Sequence, residues 1–234
     1  MTDEILSPLI PSIREYQTCV PGSAVYISNA SFAKTIIVFD GDRQLPPVLS
    51  GQKGMWIQIP WEFASAESQG FQRLLIRSQN NPFESVRNIL ITPFSPVTMM
   101  WFDSSTGTVF AQATHQDSLI LVTPSSPARP GEMVHIYLIG LGPLDQPVPT
   151  GAPGPSSPLA HPLATFRCRI GLFDSTTFLL SNVFYAVDRV GFYQADLIMP
   201  DVLPQGTASL YCETSSVGGE GSTGLIQLAT TSVR

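Results

Sequence analysis

A short pattern, x-P-G-[SE]-x-V-x-I, occurs twice in this chain and constrains its fold more than any other feature. In the stretch Pro127 to Pro143, PARPGEMVHIYLIGLGP, a Pro-Gly turn leads into Val134, Ile136 and Leu138, which alternate with His135, Tyr137 and Ile139 before Gly140 and Gly142 close the run. That is a β-strand entered and left by turns. Upstream, VPGSAVYIS (Val20 to Ser28) carries the same pattern. Further landmarks follow in the same order: Thr35 to Gly41 corresponds to Thr165 to Gly171, WIQIPWEF (Trp56 to Phe63) to DLIMPDVL (Asp196 to Leu203), and Gly70 with its strand to Gly206 with Ala208 to Cys212. Landmarks that repeat in order imply two copies of one unit, so the 234 residues divide into two modules, each long enough to bury a core.

Both copies read as short strands separated by turn signals, a pattern that predicts an all-β sandwich. In the first copy the expected strands are Ala24 to Ser28, Thr35 to Phe39, Met55 to Ile59, Phe71 to Arg77 and Val86 to Thr92. The prolines of Thr92-Pro-Phe-Ser-Pro96 stop the last strand and stiffen a linker. A hairpin is expected next, Val97 to Phe102 and Thr108 to Ala113 around Asp103 to Gly107, followed by a strand from Leu119 to Thr123. The predicted organisation is an N-terminal arm at 1–19, a first sandwich at 20–93, and a second at 94–234 that includes the hairpin region 97–123 and a Pro-rich loop at 142–162. The interval from Pro130 to Pro200 exceeds that from Pro21 to Pro60, and much of the excess is this loop, too rich in proline for regular structure.

Here the sequence resembles a family of bacterial exported proteins, mostly uncharacterised, built from tandem immunoglobulin-like sandwiches. Its members read P-A-x-P-G-E-x-V-x-I-Y-x-x-G-L-G-P, then P-V-x-x-G, then G-L-Y-Q-V-N-x-x-V-P. The counterparts here are Pro127 to Pro143, Pro147 to Gly151 and VGFYQADLIMP (Val190 to Pro200), with GQKGMWIQIPWEF (Gly51 to Phe63) similar to the P-G-Q-I-N-x-Q-V-P-W-E of the family. Phe192 and Ala195 stand where the family has Leu and Val. The resemblance implies two tandem immunoglobulin-like β-sandwich domains at the cell surface or outside it, with no catalytic residues to carry over. The opening, MTDEILSPLIPSIREYQ, has acids where an export signal has a basic region.

Composition narrows the partners. Net charge is −6 with Lys34 and Lys53 the sole lysines, which gives no electrostatic support to a nucleic-acid or anionic-membrane partner, and no apolar run has the length of a membrane span. No cofactor or metal motif occurs: Asp40-Gly-Asp42 and Asp103 lie in turns but outside the twelve-residue calcium-loop pattern. Asn29-Ala-Ser31 matches a glycosylation acceptor by three residues alone. The histidines His115, His135 and His161 accompany no G-x-S-x-G elbow, and Glu62, Glu84 and Asp196 read as solvated charges, so no catalytic residue is assigned.

Of the three cysteines, Cys168 and Cys212 fall in expected strands of the second copy; they form a disulfide if those strands are neighbours, and otherwise are two buried thiols. In an immunoglobulin-like domain those two strands pair centrally in one sheet. Ile5, Leu6, Leu9, Ile10 and Ile13 would anchor the arm on an exposed sheet edge, of the same molecule or of a further copy, where head-to-tail docking builds a filament. The expected role is therefore a structural or adhesive one through protein contacts. The alternative is a carbohydrate-binding module or accessory domain of a secreted enzyme, with Trp61, just past the strand end at Pro60, as the ligand-facing aromatic.

Overall fold

The structure is a computed structural model that describes residues 17–28, 36–40, 43–45, 47–51, 54–64, 70–78, 81–172, 175–216 and 219–233. It is all-β: among the described residues the helical content is one 3-10 turn, Trp61–Ala64. The arm residues Ile5 to Ile13, Asn29 to Ser31, and Asp42 lie outside the described residues.

In the N-terminal half, β1 (Gln17–Cys19), β2 (Ala24–Ser28), β3 (Ile36–Asp40), β4 (Arg43–Gln44), β5 (Pro47–Gly51), β6 (Gly54–Gln58), β7 (Gly70–Ser78) and β8 (Asn81–Ile91) form two sheets. Their orders are β1-β8-β7-β3-β4 and β2-β6-β5. The C-terminal half contains β9 (Val97–Thr98), β10 (Met100–Asp103), β11 (Thr108–Ala111), β12 (Ala113–His115), β13 (Met133–Ile139), β14 (Thr165–Leu172), β15 (Ser175–Tyr185), β16 (Tyr193–Ile198), β17 (Gly206–Ser216) and β18 (Gly219–Thr230). One face of its sandwich runs β11-β18-β17-β14-β15 and the other β15-β16-β13-β12, the immunoglobulin-like division of strands.

The two halves share the same registers at their landmark positions. Ala24 lies opposite Gln58, three residues after Pro21 and two before Pro60; Met133 lies opposite Ile198, at the same offsets from Pro130 and Pro200. Beside each pair the same backbone bond recurs, Ile59 N–H to Ser23 C=O at 2.9 Å and Met199 N–H to Glu132 C=O at 2.8 Å. Thr92 N–H donates to Cys19 C=O as Thr231 N–H donates to Ala128 C=O. Val38 pairs with Ile76 where Cys168 pairs with Cys212. The Pro-Gly turns share a positive φ, 78° at Gly22 and 74° at Gly131, a conformation that glycine adopts without strain and that fixes how the next strand enters.

The halves differ where one strand changes sheets. β15 pairs with β14 through its first residues and with β16 through its last, so it spans both faces. Its counterpart is broken in two at Leu45, with β4 on β3 and β5 on β6. The hairpin expected after the linker is likewise divided. β10 pairs with β11, but at Met99 and Gln112 the chain crosses over, and β9 and β12 join β13 in the other sheet. The segment Leu119 to Thr123, expected as a strand, makes only isolated bridges at Leu121 and Thr123. The tight turn at 116–120 holds it: Leu119 N–H and His115 N–H bond to His115 C=O and Ile120 C=O.

Each half has its own buried cluster. Val25, Ile27, Ile57, Leu74, Ile76 and Ile89 belong to the first, and Val134, Ile136, Leu138, Ile170, Leu197 and Leu210 to the second. Between them sits a third, of Ala24, Trp56, Met99 and Tyr137, flanked by Tyr26, Ile139 and Phe192. This last cluster joins the outer face of the β2-β6-β5 sheet to the outer face of β13, so β6 and β13 are buried on both sides. Each large apolar side chain it removes from water contributes roughly 1.5–3 kcal/mol.

Candidate functional site

The seam between the halves is held by a buried hydrogen-bond network. Along β6, Met55 and Ile57 point into the first core, which turns Trp56 and Gln58 outward, toward the second half. Trp56 packs between Tyr26 and Phe192, with ring centroids 5.4 Å from each. Gln58 is fully buried. Its Nε2 donates to Gly22 C=O at 3.1 Å and to the Tyr185 hydroxyl at 2.8 Å, while its Oε1 accepts from Gly151 N–H at 2.5 Å. The Tyr185 hydroxyl in turn donates to Gly22 C=O at 3.1 Å and accepts from Gly191 N–H at 2.6 Å. Burial holds the Tyr185 and Tyr193 hydroxyls above the ordinary tyrosine pKa, so both stay protonated donors through neutral pH.

Three further bonds lie along the seam and its linker. Ala24 N–H donates to Gly191 C=O at 2.7 Å, Ser95 N–H to Gly140 C=O at 2.9 Å, and Gly140 N–H to Ser23 Oγ at 2.8 Å. The linker thus lies directly on Gly140, where a Cβ would stand 2.0 Å from Ser95 C=O. The Pro-rich loop closes the other side. Thr150 Oγ1 accepts from Trp61 N–H at 3.1 Å and donates to Glu62 at 2.9 Å.

Trp61, the expected ligand-facing aromatic, is half-buried in this seam. A Cβ on Gly22 would fall 2.1 Å from its ring, and the ring meets Tyr185 edge-on at 5.5 Å. Cys168 and Cys212 are joined by a disulfide across β14 and β17, with Cα atoms 4.1 Å apart, and Cys19 is buried outside any disulfide. The pair bridges neighbouring strands of a single sheet.

A second feature lies on the outward side of that sheet. Because Cys168, Ile170, Leu179, Leu210, Cys212 and Ile226 face the core, their alternates Arg169, Phe178, Tyr211 and Leu225 face solvent, and the register sets them in one row: Phe178, Arg169, Tyr211, Leu225. The Arg169 guanidinium lies 5.0 Å from the Phe178 ring and 5.7 Å from the Tyr211 ring, and ion-pairs with Glu213 at 2.8 Å. Phe178 and Leu225 are 59% and 61% exposed.

Of the histidines, His135 Nδ1 contacts Asp196 Oδ1 at 2.7 Å, and His161 Nδ1 contacts Val183 C=O at 2.7 Å. His115 gathers partners that its sequence neighbours do not suggest, Glu132 at Nδ1 and Ser126 at Nε2. Asp103 accepts from Ser105 and Thr106 within its own turn, and those bonds, Ser105's first, lower its pKa. Among the described residues no group of three or more metal-ligating side chains gathers, and no helix is long and apolar enough to cross a membrane.

The fold defines an all-β protein of the immunoglobulin-like class. No family profile and no curated protein matches the chain. Among solved structures it is similar to SGBP-B of the Bacteroides ovatus mixed-linkage glucan utilization locus, in complex with a mixed-linkage heptasaccharide. Identity there is 13% and the TM-score 0.38, over 94% of this chain and 46% of that one, so the chain spans less than half of SGBP-B. It is also similar to Dpr2 Ig1-Ig2 in complex with DIP-Theta, at 12% identity and TM-score 0.25 over 94% and 64% of the two chains. A titin Ig tandem gives 12% identity and TM-score 0.22 over 96% and 95%. Likenesses at these scores carry no argument about function.

Proposed function

We propose that residues 20–93 and 94–234 are two immunoglobulin-like modules of the bacterial tandem family named above. The pair acts outside the cell as a structural or adhesive protein, through protein contacts and with further copies of itself among its partners. The observation that carries this reading is the outward row Phe178, Arg169, Tyr211, Leu225, mounted on a sheet held by a disulfide. Arg and Tyr are enriched among the residues that dominate interface energies, and here a stacked Arg with flanking apolar groups is ordered before any partner arrives. The disulfide supports an oxidising compartment, hence the extracellular assignment. The motif residues of the family pattern also sit at the joint: Gly140 and Gly142 of G-L-G-P receive the linker, and Gly151 of P-V-x-x-G bonds Gln58.

Sedimentation velocity across a concentration series tests the reading on the intact chain. The expected result is reversible association that Phe178→Asp with Leu225→Asp removes. Carbohydrate binding is the alternative, and a glycan array reports it as a signal lost in Trp61→Ala. A chain monomeric at every concentration, or association that the double variant leaves unchanged, overturns the proposal.

A further inference from the structure

At the end of the second sandwich, β12 finishes at His115, the turn at 123–126 brings Ser126 beside it, and the Pro130-Gly131 turn delivers Glu132 at the start of β13. Glu132 Oε1 meets His115 Nδ1, and its Oε2 accepts from Arg129 N–H at 3.0 Å, which fixes the carboxylate. His115 Nε2 lies 3.1 Å from Ser126 Oγ and 3.1 Å from Ser126 C=O. A carboxylate on Nδ1 favours the Nδ1–H tautomer, in which Nε2 accepts from Ser126 Oγ–H; the Ser126 carbonyl at the same distance accepts from Nε2 only once that nitrogen has taken the serine proton, so the two contacts suit the two stages of a nucleophile and base with an orienting acid. All three residues line one cleft of about 550 Å³, whose wall also carries Gln116, Asp117, Arg129 and Gly131. The turn forming its lip continues into Leu119, which has φ 53°, and Ile120, and these two apolar side chains are 67% and 58% exposed. A non-glycine residue holds this conformation only where the surrounding structure fixes it.

We propose that Ser126 is a nucleophile with His115 as its base, positioned by Glu132, and that the site takes small carboxylic esters. The Ser126 Oγ–H proton passes to His115 Nε2 as Oγ bonds the acyl carbon. The alcohol leaves with that proton, and water, deprotonated by the same nitrogen, releases the acid and restores Ser126. Arg129 is the cation of the wall suited to the developing oxyanion. The activity is separate from the contact role proposed above.

The probe is a fluorophosphonate, which loses fluoride to a nucleophilic serine, followed by mass mapping of the intact, disulfide-bonded chain. An adduct on the Ser126 peptide is expected, absent in Ser126→Ala and slowed about 100-fold in His115→Gln, the scale of a lost general base. Glu132→Gln slows it as well, and Glu132→Asp recovers part of the rate, which a merely structural carboxylate would not do. Circular dichroism checks the fold of each variant. Wild-type chain in urea, where the three groups separate, is the control that needs no variant. Absence of an adduct on folded wild type, equal rates in wild type and folded His115→Gln, or an adduct that persists in urea overturns the proposal.

Discussion

Replacing Tyr185 with Phe isolates the polar part of the seam. The ring stays, still edge-on to Trp61 at 5.5 Å and to Tyr193 at 5.3 Å, so no cavity opens. Only the hydroxyl goes. Gly22 C=O keeps the Gln58 Nε2 bond, but Gly191 N–H and one Gln58 N–H lose their acceptor in a site where Tyr185 and Gln58 are both 0% exposed. A buried donor left unsatisfied costs about 1–3 kcal/mol, so two cost about 2–6 kcal/mol, with the lower end reached if the backbone at Gly191 relaxes toward solvent. Tyr193→Phe is the comparison: its hydroxyl donates to Gly142 C=O within the second half, and its loss strands one acceptor.

Urea unfolding followed by tryptophan fluorescence measures both variants, because Trp56 and Trp61 lie at the seam. Wild type is expected to unfold in one transition and Tyr185→Phe in two, the halves having lost part of their coupling. A loss under about 1 kcal/mol, or a single transition as steep as wild type, would refute the claim that these bonds fasten one half to the other.

The disulfide closes a separation of 44 residues, for which chain entropy gives about 4 kcal/mol of stabilisation, so Cys168→Ala with Cys212→Ala should lower the urea midpoint accordingly. Cys168→Val with Cys212→Ile should recover part of that loss, since the first half already places Val38 opposite Ile76 at the same register. High pH should destabilise the chain. Burial raises the Cys19 thiol from 9.0 to about 12 and raises the Tyr185 and Tyr193 hydroxyls, and in each case it is the folded-state pKa that lies higher. The stability is therefore whole below the unfolded values and drains as pH rises through about 9 to 12. A urea midpoint unchanged between pH 8 and 11 contradicts this.

The landmarks legible in the sequence were those that act locally. A Pro-Gly turn, a proline two residues past a strand and a glycine opening the next each fix backbone geometry by themselves, and their pairings at Ala24–Gln58 and Met133–Ile198 follow. β15 was not legible. It crosses from one sheet to the other, so its inward face changes partway along and no two-residue period survives; Leu179, Phe184 and Tyr185 are all buried while Phe178 and Asn182 are exposed. Gln58 gave one signal: it shares the outward face of an alternating strand whose other face is already core, a sign of two-sided burial. The segments that meet it, at Gly22, Gly151 and Tyr185, are distant in sequence, and no local pattern announces them. For Ser126, His115 and Glu132 the only hint was a glutamate fixed by the same turn that holds Ser23 in the first copy.

The Pro-rich loop, which the sequence leaves without a place in either repeat, shows how the copies diverged. Both Pro-Gly turns keep glycine for the same φ, yet a Cβ at Gly22 would strike Trp61 at 2.1 Å, whereas at Gly131 the nearest atom is Asp201 Oδ1 at 3.9 Å. Asp201 occupies in the second copy the position of Trp61 in the first, and Val202, opposite number to Glu62, is 85% exposed. The turn is thus a property of the repeat, and the aromatic plug a property of the joint. The loop belongs to the joint too, since Thr150 and Gly151 bond Trp61, Glu62 and Gln58, none of which is matched in the other copy. Repetition alone would build two sandwiches free to swivel on the linker. The unrepeated residues Gln58, Trp61, Glu62, Thr150 and Gly151 bond the half that carries the row of Phe178, Arg169, Tyr211 and Leu225 to the first half.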